Sequence, residues 1–72
     1  MARVDVLVTG EDAAEISQIL KIPRIAPGTW GWRDVIPVAA ELRVLRVRQL
    51  AAELGATVDV VQVPVGQGDS TV

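Results

Sequence analysis

The 72-residue chain contains no cysteine, no histidine, no phenylalanine and no tyrosine. Without cysteine and histidine there is no disulfide, no thiol nucleophile, no zinc site of the Cys/His kind and no residue of near-neutral acid/base character. A metal would have to be held by carboxylates alone, and none are clustered for it. Neither a metal nor a cofactor is expected, and an enzyme is the poorest fit to this composition. With Phe and Tyr missing, the core must be assembled from Val, Leu, Ile and Ala, with Trp30 and Trp32 as the only large anchors. If both are buried, truncating either should cost more than any other single truncation. No stretch approaches the roughly 20 apolar residues of a membrane span. The apolar run Val4 to Val8 is short and broken by Asp5, unlike a secretory leader. The expectation from these absences is a soluble, cytoplasmic, single-domain protein that does not engage a membrane.

Half of the residues are apolar. A chain this short buries a small fraction of its surface and is marginally stable alone, so a homo-oligomer or a protein partner is expected. The net charge of −2 is unevenly spread. Residues 1–20 set Arg3 against Asp5, Glu11, Asp12 and Glu15, a balance of −3. Residues 49–72 carry Glu53, Asp59 and Asp69, again −3. Between them Lys21, Arg24, Arg33, Arg43, Arg46 and Arg48 face only Asp34 and Glu41, giving +4. A basic centre between acidic ends is either an anion-binding patch or the solvated faces of helices and loops.

Arg3 to Thr9 alternates with Val4, Val6 and Val8 on one side, which predicts a short strand ended by Gly10. Glu11 and Asp12 then open a helix to about Lys21, with Ala13, Ile16, Ile19 and Leu20 at helical spacing and the acidic first turn matched to the helix dipole. From Ile22 to Trp32 the prolines and glycines speak for loop or edge strand. Pro27-Gly28 is a turn dipeptide whose arms, Arg24 to Ala26 and Thr29 to Trp32, are expected to form a β-hairpin. Asp34 reads as the N-cap of a helix from Val35 to Leu54, with Pro37 tolerated at its third position and Gly55 as the stop. Along that helix Val38, Leu42 and Leu45 line one face, while Val47, Leu50 and Leu54 line a face roughly opposite. Such a helix meets two neighbours, one of which can be another chain. Thr57 to Val65 alternates again and predicts a strand pairing with Val4 to Val8, although Thr57 would equally cap a short helix. Residues 66–72 are expected to form a flexible tail.

The segments V-T-G-E-D-A-A-E-I (Val8 to Ile16), L-K-I-P-R-I-A-P-G (Leu20 to Gly28) and W-x-W-R-D-V (Trp30 to Val35), followed by the Leu/Arg run Leu42 to Gly55, resemble the winged helix-turn-helix DNA-binding domains of MerR-type regulators and phage excisionases. The resemblance implies a first helix at Val8 to Ile16, a wing entered at Leu20 to Gly28, DNA-backbone contact by Trp32 and Arg33 at the wing exit, and Asp34 as the cap of the following helix. Only Ser17 to Pro23 lie where the family places its recognition helix. Either the first helix itself enters the groove, or the recognition element is absent.

The fold expected is thus α+β: one small domain over residues 1–65, two main helices flanking a β-hairpin wing, with short N- and C-terminal strands. The leading expectation is a small regulatory protein that binds DNA through Lys21, Arg24, Trp32, Arg33 and Arg43. The alternative is a non-enzymatic protein-interaction or assembly module that self-associates through the long helix and the terminal strands.

Overall fold

A computed structural model describes residues 2–65; the tail expected at 66–72 lies outside the described residues. The elements run β1 (Val4–Thr9), α1 (Ala13–Leu20), β2 (Arg24–Ala26), β3 (Thr29–Val35), α2 (Pro37–Leu54) and β4 (Asp59–Pro64). They form one antiparallel sheet in the order β2-β3-β1-β4. A β-α-β-β-α-β chain in this order has the split β-α-β, ferredoxin-like topology, a scaffold that hosts many unrelated functions. Among the described residues no helix is long and apolar enough to cross a membrane.

The α+β class, both helices, the hairpin and the terminal strand pair match the expectation. Their arrangement is different. The hairpin is no wing standing between two helices, because β3 pairs with β1 and becomes a central strand. Residues Thr57 and Val58 precede β4, so the short-helix alternative for this segment falls away. Both helices lie on one face of the sheet, α1 over β3 and α2 over β1 and β4.

The core between these layers is built from small side chains. Val6, Val8 and Val60 come from the sheet, Ala13 and Ile16 from α1, and Ala40, Val44, Val47 and Ala51 from α2, with Ile22 beside them. None of the leucines is buried. Trp30 and Trp32 are half-buried and packed against this cluster, so they are margins of the core and not its anchors; Ile16 is the largest side chain wholly enclosed.

Two local features depart from the sequence expectation. Asp34 caps no helix: it belongs to β3, with a left-handed φ of 60°, and Ile36 takes the N-cap position. Between the pairs Val4–Val35 and Val6–Trp32, β1 has one residue, Asp5, and β3 has two, Arg33 and Asp34, which is a β-bulge. The bulge is pinned from β1 and its approach. The Asp34 N–H donates to the Asp5 carboxylate at 2.9 Å, and Arg3 Nη1 donates to the Asp34 carbonyl at 3.1 Å. Its extra residue returns Val35 to the core side. Pro37 consequently stands at the very start of α2, where its lack of an N–H costs nothing. Gly55 ends the helix as expected, with φ 66°. At Gly31, φ is 154° and a Cβ would overlap the Val6 carbonyl oxygen, so only glycine lets β3 and β1 approach as they do.

Asp12 precedes α1 but its carboxylate does not cap it. Asp12 Oδ2 accepts the Thr57 N–H at 2.6 Å, while the Asp12 N–H donates to the Thr57 carbonyl at 3.0 Å. This reciprocal pair fastens the start of α1 to the α2–β4 connection. Glu11 and Glu15 remain exposed, as a solvated helix start should be.

Candidate interaction surface

The structure gathers Lys21, Arg24, Arg33, Arg43 and Arg46 of the basic centre around two joined hollows, whereas Arg48 lies against β4 at the other edge of the sheet. α1 ends with Lys21 in the left-handed conformation (φ 59°), which turns the chain away toward β2. Against this end lies a hollow of about 500 Å³ whose floor is Trp32 of β3 and whose far wall is Ala39, Leu42, Arg43 and Arg46 of α2. Those four recur at helical spacing and form one stripe. Ile19 and Leu20 complete the near wall with Lys21. Three cations border this groove, and no carboxylate among the described residues lines it.

Arg43 sits over the Trp32 ring with its guanidinium carbon 4.8 Å from the ring centroid. At an exposed site this cation–π contact contributes about 0.5–1 kcal/mol. Stacking occupies the face of the guanidinium and leaves its N–H donors in the plane. None of the side-chain hydrogen bonds among the described residues uses Lys21, Arg43 or Arg46.

A second, more open hollow of about 570 Å³ adjoins the first and shares Trp32 and Arg43 with it. It is bordered by Arg24 and Arg33, with Asp34 as its one acid. Arg24 is partly occupied, since its Nε donates to the Ala26 carbonyl at 3.4 Å. All five residues expected to contact DNA, Lys21, Arg24, Trp32, Arg33 and Arg43, therefore border these two joined hollows. Sequence reasoning counted Arg46 in the basic centre but not among the DNA-contacting residues, and it read Leu42 on an apolar face of the long helix without joining it to Ile19 or Trp32.

That wall continues into the most exposed large apolar side chains among the described residues. Val38, Leu42 and Leu45 are 63%, 64% and 57% exposed on the side of α2 pointing away from the core, and Ile19 of α1, which lines the groove with Leu42, is 51% exposed. A second aliphatic surface lies on the helix-free face of the sheet, where Leu7 stands between Gly31 and Val61 and Asp5 pairs with Val63. No aromatic ring is among these residues, so this face lacks the stacking platform on which sheet proteins splay single-stranded bases. The free edge of β4 is blunted at both ends. Arg48 Nη2 donates to the Val60 carbonyl at 3.4 Å, and Pro64 has no N–H to offer.

No group of carboxylates suited to a metal ion occurs among the described residues. No protein-family model, curated protein or solved structure matches this chain.

Proposed function

We propose that this protein is a small non-enzymatic interaction module that docks a protein partner on the outer side of α2. The observation that carries this reading is the placement of aliphatic size. The helix turns alanine and valine toward its own core and its bulky Leu42 and Leu45 toward solvent. Each such side chain gains about 1.5–3 kcal/mol when fully covered, part of which association itself consumes. The thin core is consistent with a domain that is completed by a partner.

A synthetic helix with leucines at i, i+3, i+4 and i+7 and uncharged glutamine flanks tests the reading. In a Trp30→Phe background, Trp32 emission should change saturably as this helix is added, and Leu42→Asp with Leu45→Asp should abolish the change while leaving the melting temperature intact. No saturable change in the parent protein would overturn the reading.

A second reading, a DNA-binding regulator of the MerR or excisionase kind, is favoured by the gathering of Arg24, Arg33 and Arg43 around one open hollow. Phosphate contacts of that kind weaken steeply with salt. Anisotropy of labelled duplex DNA should then rise at low ionic strength and collapse in Arg24→Ala with Arg33→Ala. A flat titration at low salt removes this reading.

A further inference from the structure

We infer that the groove between the end of α1 and the outer side of α2 takes an acidic amphipathic helix supplied by a different protein. This rests on the reading that α2 docks a partner, and adds the chemistry of that partner. The floor and wall are apolar, from Trp32, Leu42 and Ile19, while the border is cationic, from Lys21, Arg43 and Arg46. A ligand that satisfies both must bring aliphatic side chains flanked by carboxylates. The stripe from Ala39 through Leu42 and Arg43 to Arg46 spans two turns, about 10 Å along the axis, the length covered by leucines spaced by one and two turns on an opposing helix.

A second copy of this chain is a poor occupant. In a two-fold interface the same patch meets itself, so the Lys21, Arg43 and Arg46 border would confront the identical border. Like charges so placed oppose assembly, whereas carboxylates on a foreign helix are attracted. Duplex DNA is a poor occupant for a different reason. It would engage the cations but leave Ile19 and Leu42, 51% and 64% exposed, without an apolar counterpart. The preorganised cation is Arg43, held over Trp32 with its in-plane donors unengaged among the described residues. A carboxylate approaching in that plane can accept two of them at once.

Three synthetic helices that share the leucine stripe and differ in their flanks, glutamate, glutamine or lysine, decide the matter by Trp32 emission in the Trp30→Phe protein. The glutamate helix should bind roughly tenfold tighter than the glutamine helix at low salt, because each exposed ion pair adds at most a few-fold, and the margin should shrink as salt is raised. The lysine helix should bind weakest. Arg43→Glu with Arg46→Glu should erase the glutamate preference while the glutamine helix still binds. Lys21→Glu with Arg46→Glu, which spares the Arg43–Trp32 stack, should do the same. Equal binding of the glutamate and glutamine helices overturns the acidic partner while the docking reading stands; failure of all three helices overturns both. Duplex DNA that displaces the glutamate helix at the same salt, with loss of DNA binding in Arg43→Glu with Arg46→Glu, would reassign the groove to nucleic acid.

Discussion

The inner side of α2 meets the sheet with Ala40, Val44, Val47 and Ala51, and the outer side shows Val38, Leu42 and Leu45 to solvent. Both sides are aliphatic, and they differ in size and in what surrounds them. Alanine and valine let the helix axis settle close to β1 and β4, where a leucine would hold it off. On the outer side Leu42 borders a groove that has three cations and, among the described residues, no carboxylate. One side is shaped by packing within the chain, whereas the other is the surface on which the proposed partner would dock.

The largest effect that would test this contrast is expected on the inner side. Val47 is wholly buried, so Val47→Asp places an unpaired carboxylate in the core and should cost more than about 4 kcal/mol, enough to unfold a domain of this size in a urea melt. Next comes Ile16→Ala, which empties the largest enclosed side chain and should cost about 2–5 kcal/mol by the same measurement. Ser17 gives a smaller effect of opposite sign. Its hydroxyl is buried without a hydrogen-bond partner among the described residues, so Ser17→Ala should raise stability by about 1 kcal/mol. The smallest change belongs to the outer side: Leu42→Asp with Leu45→Asp should shift unfolding by less than about 0.5 kcal/mol. A large loss there would mean that the outer side supports the fold, and the contrast would disappear.

The strands and helices were legible in the sequence because their periods are clean. Valine alternation marks Val4 to Val8 and Asp59 to Val63, the Pro27-Gly28 turn marks the hairpin, and Gly55 marks the end of α2. Local period says nothing of which strands become neighbours, so the β3–β1 pairing that turns a supposed wing into the middle of a sheet was hidden. Asp34 misled for a chemical reason: a short carboxylate before an apolar run suits an N-cap, yet aspartate also tolerates the left-handed conformation that a bulge requires. Two apolar stripes on α2 were visible at about 100° per residue, but the core took Ala40, Val44, Val47 and Ala51, with Leu50 packed beside them. Leu54, placed in one stripe with Val47 and Leu50, is 52% exposed at the helix end. The basic residues of the candidate surface were legible as a charge block. Their union with Ile19 and Leu42 depends on how α1 meets α2, which a one-dimensional pattern does not encode.

The most direct test is methyl chemical-shift mapping of the protein with the glutamate-flanked helix. The largest perturbations should fall on Ile19, Leu42, Leu45 and the Trp32 indole, while Leu7, Val61 and Val63 on the helix-free face stay unchanged. Perturbations centred on Leu7, Val61 and Val63, with Leu42 and Leu45 silent, would contradict the assignment of the outer side of α2 as the docking surface.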